Sequence, residues 1–166
     1  QVLGELRAAG LDSMPGGGAE SYAKQTRDKI IKGKADAAQW LAVMREAHRQ
    51  GIPTNATMLY GHIESIEDRV DHLIRLRELQ DRTGGFQSFI PLAFHPKNTE
   101  IAKGYTTGLE DLLALAVARL YLDNFANIQS SWVTQGRKVG QLALLYGAND
   151  MGSVMIEENV VAEAGT

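Results

Sequence analysis

The sequence predicts a parallel α/β architecture, a partial (β/α) barrel of about five βα units. Apolar, β-branched stretches alternate with amphipathic helical ones, and no hairpin signal joins any two strands. Consecutive strands connected through helices run parallel. Each strand also ends in polar, reactive side chains, which suits the mouth of a (β/α) barrel better than a doubly wound sheet. No G-x-G-x-x-G opens the first βα turn, which weakens the dinucleotide-fold alternative. Five strands do not close an eight-stranded barrel. Either the barrel is open or its first strands lie outside these 166 residues.

In chain order, Val2 to Gly10 reads as the end of a helix, with Val2, Leu3 and Leu6 on one face and Gly10 as the stop. Gln1 supplies no cap, so a preceding segment is expected. Leu11-Asp12-Ser13-Met14 is a short strand leading into Pro15-Gly16-Gly17-Gly18-Ala19-Glu20. Three successive glycines let backbone approach a ligand closely, and a helix starting at Ser21 would aim N–H groups at a phosphate or carboxylate. The plainer reading is a turn that changes the chain's direction.

Two helices follow, Ser21 to Ile31 and Ala35 to Gln50. Asp36 with Gln39 resembles a capping box, and Trp40 lies on the second helix's apolar stripe as a core residue. The strand Thr54 to Tyr60 has an apolar body and gives way to Gly61, His62 and Glu64. Ser65 with Asp68 starts the next helix, which Gly84-Gly85 ends. Its alternating charges make a solvated face, and His72 within it is structural or exposed. Phe86 to Phe94 is the third strand, ending in His95-Pro96-Lys97-Asn98-Thr99.

Thr107 with Glu110 caps a helix from Leu109 to Phe125, with Leu112, Leu113, Ala116, Val117 and Leu120 as its buried stripe. Asn127 to Gly136 is an unusually polar fourth strand, in which Gln129, Ser131 and Gln135 are candidates to face a ligand. A helix from Lys138 to Tyr146 and a fifth strand and turn, Ala148 to Met155, complete the order.

Hydrophobic content of 44%, charged content of 22% and a net charge of −3 fit one ordinary globular domain spanning residues 1–166. A mildly acidic chain without a Lys/Arg block argues against nucleic acid or an anionic membrane as partner. No secretory signal or membrane span is legible, so a cytoplasmic location is expected. The cysteine count is zero, which excludes disulfides, thiolate metal sites and a cysteine nucleophile within the chain.

The residues also carry a resemblance. The run "GLDSMPGGGAE" from Gly10 to Glu20 resembles a segment of the radical S-adenosylmethionine enzymes of the futalosine route to menaquinone. "NATMLYGHIE" from Asn55 and "LRELQDRTGGFQSFIPLAFHPKNTE" from Leu76 look like aminofutalosine synthase. "SSWVTQGRKVGQLAL" from Ser130 and "GANDMGSVMIEENVV" from Gly147 are more similar to its sister, dehypoxanthine futalosine cyclase. The enzyme that assembles the deazaflavin chromophore is a more distant relation.

The resemblance implies a partial TIM barrel of radical-SAM type, matching only its later strands. It implies S-adenosylmethionine and a 4Fe-4S cluster as cofactors, an aromatic carboxylate as substrate, and flavodoxin or ferredoxin as electron donor. In the synthase the deoxyadenosyl radical adds to the enolpyruvyl double bond of 3-[(1-carboxyvinyl)oxy]benzoate. In the cyclase it abstracts a ribose hydrogen from dehypoxanthine futalosine. The family's CxxxCxxC motif is absent, so the cluster would be ligated outside this chain, and the chain alone would be inactive.

On that resemblance Gly16, Gly17, Gly18 and Glu20 would approach S-adenosylmethionine. Tyr60, His62 and Glu64 would line the mouth as catalytic candidates, with His62 suited to proton transfer. His95, Asn98, Gln135 and Asp150 would contact carboxylate or ribose. No metal ligand is expected, because His62 and His95 lie on different strands without HExxH-type spacing. Two other classes stay open: a barrel hydrolase or aldolase using His62 and Glu64 as an acid/base pair, and a cluster-free binding or scaffold domain.

Overall fold

The computed structural model describes residues 1–101, 104–157 and 159–163. Its centre is a three-stranded parallel sheet in which β1 (Thr54–Tyr60), β2 (Phe86–Ala93) and β3 (Asn127–Ile128) lie side by side in chain order. β1 and β2 pair from Asn55 opposite Ser88 to Tyr60 opposite Ala93, with an irregularity between Thr54 and Asn55. A single parallel bridge extends each edge: Met14 pairs with Thr54, and Asp150 pairs with Gln129 just past β3.

The helices are α1 (Val2–Ala8), α2 (Lys24–Ile30), α3 (Ala37–Arg49), α4 (Ile66–Thr83), α5 (Gly108–Tyr121), α6 (Trp132–Gln135), α7 (Arg137–Ala143) and α8 (Val160–Glu163). The three longest begin on reciprocal capping boxes, Asp36 with Gln39, Ser65 with Asp68, and Thr107 with Glu110. Each cap stabilises its helix by about 1 kcal/mol.

Period-two alternation aims Ala56, Met58 and Tyr60 of β1 at the helices, where they join Leu73 and Leu76 of α4 and Leu112, Leu115 and Ala118 of α5. Trp40, Phe86 and Phe125 stack in series beneath, with centroids 6.3 and 5.4 Å apart. The Trp40 Nε1–H donates to Gly17 O at 3.1 Å, so this ring is core, as its position on the helix stripe suggests.

Several expected elements differ. Met14 alone of the Leu11–Met14 stretch pairs with the sheet. The polar fourth strand stops after Ile128 because the chain turns at Ser131 into α6, which buries the Gln135 side chain. The fifth strand reduces to the Asp150 bridge. The second helix starts at Lys24 rather than Ser21, so no helix N-terminus follows the glycines directly. On α5 the inward face is Asp111, Leu112, Leu115 and Ala118, while Leu113, Val117 and Leu120 are 51%, 51% and 82% exposed. An almost uniformly apolar helix has no unique stripe in its sequence, and the sheet selects the face.

His72 is fully buried rather than part of a solvated face. The segment from Met14 to Glu20 runs beside β1, bonding at Asn55 N and Leu59 N, and leaves the ladder between them. The His72 Nε2–H takes the Thr57 carbonyl exposed by that gap at 2.9 Å, and the ring stacks on Tyr22 at 3.8 Å.

A candidate active-site rim at the strand ends

The carboxyl ends of β1 and β2 form one rim, and Gly61 turns the chain there. Its φ of +86° lies in the left-handed region, and a Cβ would stand 2.2 Å from the Thr106 side chain, so only glycine fits. The turn folds Glu64 back onto the strand end. Its carboxylate accepts the N–H groups of Gly61 at 2.6 Å and His62 at 2.8 Å, and Arg69 of α4 closes it with Nε at 2.8 Å and Nη2 at 2.6 Å. Burial would raise the Glu64 carboxyl. The Gly61 N–H and the charges of His62 and Arg69 outweigh it and hold the group below its ordinary value.

His62 is fully buried, with Nδ1 3.1 Å from Glu64 Oε2 and Nε2 3.0 Å from Leu59 O. Its ring stands edge-on to Phe94 at 6.0 Å. His62 and Glu64 therefore form one unit, in which the carboxylate is fixed and ionised.

Tyr60 points the other way, under the helices. Its hydroxyl donates to Asp111 Oδ1 at 2.7 Å and accepts from Gln135 Nε2 at 3.2 Å, while Ser130 Oγ donates to Gln135 Oε1 at 2.8 Å. Burial, then the adjacent Asp111 charge, pushes the phenol far up, so it stays protonated. Burial also raises the Asp111 carboxyl, against the opposing hydrogen bonds from Tyr60 and Thr106. This buried chain fastens β1 to α5 and α6.

The glycine run packs along β1. A Cβ on Gly16 would lie 2.5 Å from Asn55 O, and the Gly16 carbonyl accepts from Thr57 Oγ1 at 2.7 Å. The Gly17 carbonyl accepts from Trp40, and that of Gly18 from Arg27. Arg27 is buried and also donates to the carbonyls of Ala19, Ser21 and Ala35, so one guanidinium collars the loop. The N–H groups of Gly16, Gly17 and Gly18 donate to no protein atom among the described residues. Glu20, at φ +45°, pairs with Lys34 at 3.3 Å.

Of the remaining candidates, the His95 ring Nε2 lies 2.8 Å from Thr134 O, and the ring stands nearly perpendicular to Tyr105 with centroids 5.6 Å apart. Asn98 donates to Glu163 O, and Asp150 accepts from Gly152 N–H. The structure thus joins His62 to Glu64 and Tyr60 to Gln135. Among the described residues the side chains of Asn98 and Asp150 bond to neither group, and Asp150 reaches the second only through its carbonyl, which accepts from Ser130 N–H at 2.8 Å. Among the described residues, no cluster of three His, Cys, Asp or Glu is arranged to hold a metal ion.

Sequence reading missed Arg27, Arg69 and Asp111. Asp111 had a signal, since a carboxylate sharing a helical face with Leu115 and Ala118 must be buried with a partner. Arg27 and Arg69 had none, because their partners are backbone atoms or lie across a turn.

A pocket of about 490 Å³ opens on the rim. Leu59, His62 and Phe94 line it from the strand ends, Lys29, Ile30 and Lys32 from α2 and the residues after it, and Glu100 and Ile101 from the loop after β2.

Residues 83–166 match the family described as the CofH/MqnC C-terminal region, about half of the chain. The chain belongs to the CofH/MqnC family. It is 54% identical, over 100% of its length, to the aminodeoxyfutalosine synthase of Thermus thermophilus. It is 51% identical over 99% to a 5-amino-6-(D-ribitylamino)uracil–L-tyrosine 4-hydroxyphenyl transferase of Methanosphaerula palustris. It is 47% identical over 99% to the cyclic dehypoxanthine futalosine synthase of Streptomyces coelicolor. The chain covers 46%, 47% and 42% of these proteins, so it spans about half the length of the curated CofH/MqnC relatives it matches.

Proposed function

We propose that this chain is the later half of a radical S-adenosylmethionine enzyme of menaquinone biosynthesis, and that the whole enzyme is an aminofutalosine synthase. The observation that carries this reading is the 54% identity with the Thermus synthase across the full chain. The cyclase is the second reading, favoured by the run from Ser130, with 47–49% identity to cyclic dehypoxanthine futalosine synthases beside 51% to the ribitylaminouracil transferase of Methanosphaerula palustris. Three parallel strands in chain order, extended at each edge by a single parallel bridge, support an arc of a (β/α) barrel within one domain.

The cluster does not fit this chain, which has no cysteine, so its ligands must come from elsewhere in the enzyme. S-adenosylmethionine suits the glycine run better: the carbonyls there are engaged, and the N–H groups of Gly17 and Gly18, outside the buried Gly16, donate to no protein atom among the described residues. When bound, it would supply the deoxyadenosyl radical. The chain's own residues shape the cavity: Gly61 turns β1 away, Glu64 and Arg69 lock the turn, and His62, buried between Glu64 and the Leu59 carbonyl, backs the pocket wall. A hydrolase using Glu64 as an acid/base is disfavoured, because the carboxylate is saturated with donors and held ionised.

The test is anaerobic reconstitution of the full-length enzyme with S-adenosylmethionine and each substrate in turn. Adenosyl incorporation into the benzoate identifies the synthase, and ring closure of dehypoxanthine futalosine identifies the cyclase. Turnover of some substrate without S-adenosylmethionine or iron would overturn both.

A further inference from the structure

We propose that Lys29 and Lys32 form an anion-recognition end of the rim pocket, and that they hold the carboxylate of a small ligand with an apolar, ring-sized body. The proposal rests on the functional reading above and deepens it, because it places carboxylate recognition on α2 and the residues just after it rather than on His95, Asn98, Gln135 or Asp150.

The pocket volume of about 490 Å³ lies within the usual range for small-molecule sites. Its chemistry is divided. Leu59 and Phe94 at the strand ends, with Ile30 and Ile101 above them, offer an apolar floor and flank that suit a ring. Lys29 and Lys32, three positions apart, bring two ammonium groups to one wall.

Neither lysine has an ion-pair partner among the described residues, whereas Lys24 and Lys34 nearby are paired with Asp28 and Glu20. Among the described residues, Glu100 is the lone carboxylate lining the pocket, so that wall carries more positive than negative side chains. The Glu64 carboxylate cannot neutralise it, being buried and saturated by Gly61, His62 and Arg69. A carboxylate bound in the cavity would be attracted to both ammonium groups on that wall. Partial shielding by the apolar wall strengthens that attraction.

A carboxylate could come from the aromatic substrate or from the methionyl end of S-adenosylmethionine. Calorimetric titration of the full-length protein distinguishes them, with 3-[(1-carboxyvinyl)oxy]benzoate, its neutral dimethyl ester and S-adenosylmethionine as separate probes. The double variant Lys29→Gln/Lys32→Gln is expected to weaken the benzoate by about tenfold or more while leaving the ester unchanged. Lys29→Arg/Lys32→Arg should restore most of the affinity. If S-adenosylmethionine loses affinity instead, the anion site stands with that ligand as its source.

Less than about a twofold change for either acid, or a wild-type protein that binds neither, overturns the proposal. Binding is read without turnover. Loss of the lysine effect with catalysis intact rejects the proposal alone, and a persistent lysine effect in a protein that turns over neither substrate rejects the functional reading alone.

Discussion

Glu64 receives two backbone N–H groups and a guanidinium at the turn after β1, and this makes its charge part of the fold. Glu64→Gln should cost about 2 kcal/mol of stability, read by chemical denaturation, because it leaves Arg69 facing an amide. The folded pKa lies below the unfolded one. The stabilisation is therefore complete at neutral pH and is lost as pH falls through the folded value.

His72 responds in a higher window. Burial, against the favourable Thr57 carbonyl bond, pushes its pKa down to about 3, while the unfolded imidazole titrates near about 6.5. The unfolded state binds the proton first, so stability should fall as pH drops from about 6.5 to about 3, by up to about 1.4 kcal/mol per unit. His72→Gln keeps a donor for Thr57 and removes the titration. A flattened slope over that window is expected; an unchanged slope would reject the assignment.

Tyr60 is a further check on the buried chain. Tyr60→Phe leaves Asp111 and Gln135 without their shared hydroxyl and should destabilise by about 1–3 kcal/mol.

At the scale of elements, the chain reveals what local chemistry decides. All three capping boxes are legible as residue pairs three positions apart, and β1 is legible from Thr54 to Tyr60 because its flanks, Pro53 and Gly61, punctuate it. The polar run after Ile128 misleads because burial of Gln135 on Tyr60 and Ser130, a contact 75 residues distant in one case, makes a helical turn there. The α5 stripe is illegible for another reason: apolar residues surround that helix, and only the position of Asp111 marks the inner face.

The glycine run shows the same division. Its flexibility is visible in sequence, whereas the role of Gly16 as a close contact with β1 depends on the fold. Gly16→Ala should destabilise by about 1–3 kcal/mol in thermal or chemical unfolding, since the added methyl meets backbone that cannot move aside. The open position at Gly17, where a Cβ meets nothing within 4 Å, should tolerate alanine far better. Equal costs at the two positions would contradict the packing described.

For the molecule as a whole, family membership was readable in motifs, while the arrangement of the site was not. His62 and Glu64 are two residues apart and their proximity was expected. Their interlocking with Arg69, and the turning of Tyr60 away from the rim onto Asp111, follow from strand alternation combined with helix packing. The zero cysteine count kept its meaning throughout: it excludes a thiolate-held metal or iron–sulfur site within these 166 residues. Among the described residues, no helix is long and apolar enough to cross a membrane.

The central claim is that this rim belongs to an aminofutalosine synthase. Its most direct test is the product mass from the full-length, cluster-reconstituted enzyme given S-adenosylmethionine and 3-[(1-carboxyvinyl)oxy]benzoate. A product carrying the adenosyl group joined by a new C–C bond, with loss of carbon dioxide, is the expected result. Recovery of unmodified benzoate under conditions in which the same preparation cyclises dehypoxanthine futalosine would contradict it.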